Sequence, residues 1–168
     1  TGKAGACFQV RAAETAAGPW SYTVEAGKSL ADSFAAAGAY DFSVHSANGF
    51  LRHFKGDLAA PRTQLRLKSR YDHARGNFEL ILLNRGDSPC QVTVENSYSG
   101  ESFTQVLEPG ERVENHWDLH GSFGWYDLIV RSNAESGFLQ RLAGHVETGA
   151  PSFSDPAIAG TLHASVDA

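Results

Sequence analysis

The pentad His116-Trp117-Asp118-Leu119-His120 is the densest group of potential metal ligands in this 168-residue chain. A four-residue spacing stacks two imidazoles on one face of a helix, where a single ion can take both. Two acids, Asp41 and Asp127, sit in matching contexts, Tyr-Asp-Phe and Tyr-Asp-Leu. As a general acid or base, each would need a second ionisable group close by. For nucleophilic chemistry the sequence lacks a G-x-S-x-G elbow, and for phosphate binding it lacks both the P-loop and the G-x-G-x-x-G cradle. Which of these residues can act depends on the elements that hold them.

Those elements are written twice. "YDFSVHSANGFLRHFKGDL" at residues 40–58 returns as "YDLIVRSNAESGFLQRLAGHV" at residues 126–146. Tyr40, Asp41 and Val44 match Tyr126, Asp127 and Val130, and Gly49-Phe50-Leu51 matches Gly137-Phe138-Leu139. Upstream, "EAGKSLADSF" (residues 25–34) sits on "EPGERVENHW" (residues 108–117), which pairs Phe34 with Trp117. Further upstream Phe8 matches Val92 and Val10 matches Val94. The offset drifts as insertions in loops would make it drift, while the strands keep register. The chain is an internal duplication.

Within each copy the apolar residues alternate. Tyr40, Phe42 and Val44 share a parity, as do Tyr126, Leu128 and Val130, so each set lines one face of a strand. "CFQVRA", "FELILL", "CQVTVE" and "FTQVLE" are likewise short, β-branched or aromatic, and bounded by turns. Gly27 and Gly110 each complete a turn that needs positive φ. "SLADSFAAAGA" has helical character, but its counterpart "RVENHWDLHGS" does not, so both are expected as a strand followed by a loop. The expected fold is all-β: two tandem, Ig-like β-sandwich modules at residues 1–62 and 63–150, then a tail at 151–168. The first copy lacks counterparts of "TQLRLKSRYD" and "GNFELILLN", and hence its first two strands. Such a gap leaves an edge and an apolar face open. Either a preceding segment fills it or the tail strand "TLHASV" (residues 161–166) is donated to it.

The duplication also weighs the candidate residues. His116 and His120 align with Ser33 and Ala37 in a strand-and-loop context, so no metal site is expected there. His45 and His145 align with Arg131 and Asp57, which makes them solvated polar positions. Asp41 and Asp127 are expected to take loop hydrogen bonds or to pair with Arg52 or Arg141, and Tyr40 and Tyr126 to act as corner tyrosines. Cys7 and Cys90 fall at non-equivalent positions and are expected as buried free thiols. Trp20, Trp125 and Phe153 stand beside turns, where an aromatic ring serves lipid contact or interdomain packing. No catalytic, cofactor-binding or metal-ligating set is expected.

Composition narrows the classes further. With 42% hydrophobic and 20% charged residues the chain has material for a core. A net charge of −5 disfavours nucleic acid as a partner and simple electrostatic docking on anionic lipid. No apolar run approaches the ~20 residues of a membrane-spanning helix. There is no Met, even at position 1, so the chain reads as a fragment or processed product with any targeting segment outside it.

The segments "YTVEAGKSL", "GAYDFSVHSANGFLRHFKGDL", "GWYDLIVRS" and "GFLQRLAGHVETGAPSFSDPA" resemble the C-terminal repeat region of bacterial phosphatidylcholine-type phospholipases C, haemolytic and non-haemolytic. The resemblance extends to about Ala157. It implies a secreted or periplasmic enzyme, exported by the twin-arginine route, whose catalytic domain lies N-terminal to this region and hydrolyses phosphatidylcholine-like lipids. None of that domain's metal-binding or nucleophilic residues has a position here. The expected role is therefore a non-catalytic accessory module that packs on the catalytic domain and aids contact with a phospholipid surface. The alternative is a free-standing carbohydrate- or protein-binding adhesion module.

Overall fold

The alternating segments of the first copy form β1 (Ala6–Ala12), β2 (Trp20–Val24), β3 (Ala39–His45) and β4 (Leu51–Asp57). The second copy forms β5 (Leu65–Asp72), β6 (Asn77–Asn84), β7 (Cys90–Asn96), β8 (Ser102–Leu107), β9 (Arg112–Trp117), β10 (Trp125–Ser132) and β11 (Leu139–His145). The structure, a computed structural model, describes residues 3–13, 18–59, 64–135 and 137–159. Only a 3-10 turn at His120–Ser122 and a helical turn at Pro156–Ala159 interrupt the β architecture among them. None of the described helices is long and apolar enough to cross a membrane. The tail strand expected at residues 161–166 lies outside the described residues.

The fold is all-β as expected, and the strands of the two copies meet in one sheet. One eight-stranded antiparallel sheet runs β2-β1-β3-β4-β11-β10-β7-β8. Its central pair, β4 and β11, are counterparts in the repeat, and His53 sits directly opposite its own counterpart, Arg141. A local two-fold axis normal to the sheet therefore passes between these two residues. It maps β2, β1, β3 and β4 onto β8, β7, β10 and β11.

Among the described residues only the second half carries another layer, the sheet β5-β6-β9. Phe78, Leu80 and Leu82 of β6 pack against Val92 and Val94 of β7 and Leu128 and Val130 of β10 to form the core. Each such side chain taken fully out of water contributes roughly 1.5–3 kcal/mol. The one amide buried among them, Asn84, is satisfied: it donates to the carbonyls of Ser88 and Leu107 and accepts from the Gly86 N–H.

The layering explains one departure from the sequence reading. β9 is a strand because it pairs with β6. Residues 29–34, its counterpart in the first copy, have no β6 equivalent among the described residues and form no strand; Leu30 is left 54% exposed. Pairing, not local propensity, decides the difference. The thiols also divide. Cys90 is buried and burial pushes its thiol up, whereas Cys7 is free and exposed, with Sγ 3.6 Å from Thr23 Oγ1.

Candidate functional site

The recurring acids lie beside the two-fold axis, and each finds a base across its hairpin. Arg141 donates to both oxygens of Asp127, at 2.8 and 2.5 Å. At the equivalent place His53 Nε2 donates to Asp41 Oδ1 at 2.6 Å, and Lys55 Nζ lies 3.2 Å from Oδ2. Arg141 and His53 are counterparts, so the duplication preserves a diagonal acid–base pair and changes only the base. Asp41 was expected to take Arg52 or a loop; cross-strand register gives it His53 and Lys55 instead. Burial raises the Asp41 carboxyl, but the bonds from His53 and Lys55 together outweigh it and leave it below its ordinary value.

Arg52 has another task, which the sequence reading missed. Its Nη2 donates to the hydroxyls of Tyr71 (2.5 Å) and Tyr126 (3.1 Å), and its Nη1 to the carbonyls of Leu51 and Ala143. Its guanidinium also lies 4.4 Å from the Phe50 ring centroid. A side chain of the first copy thus ties together strands β5, β10 and β11 of the second. The Tyr126 ring stacks on Phe78 at 4.3 Å, deep in the core, and burial drives its phenol well above the ordinary value. Its hydroxyl anchors an arginine rather than a corner loop. Tyr40, the counterpart, is only half-buried.

The three singled-out aromatics separate into two places. Trp20 packs on Phe34 with ring centroids 4.8 Å apart, and its counterpart pair, Phe103 and Trp117, lies at 6.3 Å. Trp20 is thus half of an aromatic pair that both copies share. Trp125 and Phe153 come together elsewhere, where Trp125 Nε1 donates to the Phe153 carbonyl at 2.9 Å. The Trp125 ring also closes over Gly49 of the first copy, where an added Cβ would sit 2.6 Å from the ring.

Beside them the structure places Phe123, which sequence reasoning passed over. Its ring packs on Phe153 with centroids 4.8 Å apart, yet Phe123 is 50% exposed and Phe153 64%. Phe123 has φ +55°, a left-handed conformation that costs a bulky residue roughly 1–2 kcal/mol. The 3-10 turn and its neighbours hold it there. Phe123 N–H donates to His120, Gly124 N–H to Leu119, and His145 Nε2 to the Phe123 carbonyl at 3.0 Å. Gly124 is obligatory: its φ is +86° and a Cβ would meet His145 Nε2 at 2.8 Å. A groove of about 230 Å3 opens next to the pair, walled by Leu119, His120, His145 and Val146. Between the matched pairs Phe34/Trp117 and Tyr40/Tyr126 the second copy has eight residues where the first has five, and Phe123 and Trp125 lie in that longer segment, where the first copy has only alanine and glycine.

The pentad histidines do not converge. His120 bonds Asp118 Oδ1 at 2.5 Å on the surface, while His116 groups with Glu79 and Glu114, their ligand atoms within 4.8 Å of one another. Arg70 lies 3.5 Å from Glu79, and Arg112 pairs with Glu114, so these carboxylates already have cationic partners.

A family model described as the C-terminal domain of bacterial phospholipase C matches residues 1–57 and 65–145. A non-hemolytic phospholipase C of Burkholderia pseudomallei is 48% identical over 170 residues, which cover 95% of this chain and 24% of that protein. The non-hemolytic and hemolytic phospholipases C of Pseudomonas aeruginosa are 42% and 40% identical, over 96% and 92% of this chain. The chain spans about a quarter of the length of these relatives.

Proposed function

The chain belongs to the family of bacterial phospholipase C C-terminal domains, and from that premise we propose that it is a non-catalytic accessory module of a secreted enzyme. The whole enzyme hydrolyses the phosphodiester of phosphatidylcholine-like lipids. This module packs on the catalytic domain of the same polypeptide and presents it to a lipid surface through Phe123 and Phe153.

The observation that carries this reading is the held exposure of the Phe123–Phe153 pair. Phe123 stands half in solvent on a left-handed backbone that costs energy to maintain, packed against the still more exposed Phe153, and it lies in a segment where the first copy has only alanine and glycine. Exposed aromatics set against polar turn backbone suit the interfacial zone of a bilayer, where removing apolar area from water is favourable. Half-burying each ring there is worth about 1 kcal/mol. The effect is recruitment rather than chemistry.

The test is a comparison of substrates in the full-length enzyme. Phe123→Ala with Phe153→Ala should lower hydrolysis of phosphatidylcholine in vesicles about 10-fold or more. Hydrolysis of a water-soluble phosphocholine ester should stay unchanged. Equal loss on both substrates would refute recruitment and assign the pair to domain packing, and no loss on either would remove the pair from function.

A further inference from the structure

The axis between His53 and Arg141 relates two halves of one sheet, but among the described residues only one half is covered. Val92, Leu128 and Val130 are at most 1% exposed beneath β6. Their counterparts Phe8, Phe42 and Val44 remain partly exposed, and Leu58 is 41% exposed where Val146 is 1%. Over the first half runs a groove of about 370 Å3, walled by Phe8, Val10, Val24, Leu30, Phe34 and Val44. In the second half the same place is filled by Phe78, Leu80 and Leu82 of β6. Residues 29–34 border the groove where β9 borders β6, without strand pairing among the described residues.

The family model matches both copies, and on the second it includes two strands ahead of β7. Its stretch on the second copy starts at residue 65, with β5, while the stretch on the first holds only the segment from β1 onward. The two stretches span 57 and 81 residues, a difference of 24, and β5 with β6 occupies Leu65 to Asn84. The relatives are about four times as long as the chain.

We propose that a two-stranded β-hairpin from polypeptide preceding Thr1 seats in this groove, its second strand pairing antiparallel with residues 29–34 as β6 pairs with β9. Its inward side chains alternate and are apolar, as Phe78, Leu80 and Leu82 are, because the groove floor is apolar and a period-two strand presents one face to it. Residues 29–34 become a strand once they have a partner. The first half then acquires the two-layered form of the second. This inference rests on the family membership and the repeat, and is independent of lipid contact at Phe123.

Hydrogen–deuterium exchange decides it, with β9 as the internal standard. Three proteins are compared: the 168-residue chain, the chain lengthened by the 24 residues before Thr1, and the full-length enzyme. Amides of residues 29–34 should exchange quickly in the first and about 100-fold more slowly in the other two, approaching β9. Fast exchange in all three overturns the proposal. Protection in the full-length enzyme alone also overturns it, since the catalytic domain would then be covering the face. Protection of β9 in the lengthened chain reports that its second half has folded, so a misfolded sample is recognised.

Discussion

His53 and Arg141 face each other across the β4–β11 pair, and they are the same position of the repeat. That coincidence makes the junction between the copies self-complementary, like an isologous dimer interface joined by a covalent linker. The two acid–base pairs, Asp41 with His53 and Asp127 with Arg141, flank the axis symmetrically. A slip of one residue would turn each side chain of one strand to the other face and break both the core and this arrangement.

Asp41→Asn should reveal the weaker pair through its pH dependence. A carboxyl held below its ordinary value, 3.8, contributes stability above that pH and loses it as pH falls through the folded value. The substitution should therefore cost about 1 kcal/mol at pH 7 in urea unfolding, a cost that shrinks as pH falls below 3.8 and vanishes once the folded carboxyl is protonated. An undiminished cost at low pH would show that the side chain acts through packing rather than charge.

Arg52→Ala should cost about 2–3 kcal/mol, because it strips hydrogen bonds from two phenols and two carbonyls at the junction. Arg52→Lys keeps the charge but not the fork that spans Tyr71 and Tyr126, and should recover less than half of the loss. Chemical denaturation of the three proteins measures both values.

Phe123→Gly should separate stability from lipid contact. It releases the left-handed backbone while removing a ring that is half in solvent, so the melting temperature should hold or rise by a few degrees. Vesicle affinity should fall about fivefold. A clear drop in melting temperature would mean that the ring is structural.

The thiols should titrate in two steps. Cys7 should react with an aromatic disulfide reagent in the native protein, and Cys90 only on unfolding, since it is buried and its thiol is pushed up.

The strands were legible because the duplication reports period-two alternation twice, and an insertion that broke register in one copy was exposed by the other. What pairs with what was less legible. Alternation fixes which face of β4 is apolar but carries no label for the neighbour at its edge, so the β4–β11 junction and the single eight-stranded sheet were not visible. Residues 29–34 carry a strand-like equivalence to β9, yet strand formation there depends on a partner. The partner of Asp41 was not legible, because choosing among Arg52, His53 and Lys55 needs the antiparallel register, which sets Lys55 opposite it and His53 on the diagonal. Phe123 has a signal in the sequence: it lies between Trp117 and Tyr126, where the first copy has only alanine and glycine between Phe34 and Tyr40, beside the Gly124 that keeps the turn open.

The most direct measurement is co-sedimentation of this chain with phosphatidylcholine vesicles. Wild type is compared with Phe123→Ala/Phe153→Ala and with Trp20→Ala, whose ring belongs to the shared Trp20–Phe34 pair. Wild type and Trp20→Ala should bind alike, and the double variant should lose about 10-fold or more in affinity. Binding by the double variant equal to wild type, or no binding by wild type at high vesicle concentration, would contradict the lipid-presenting role.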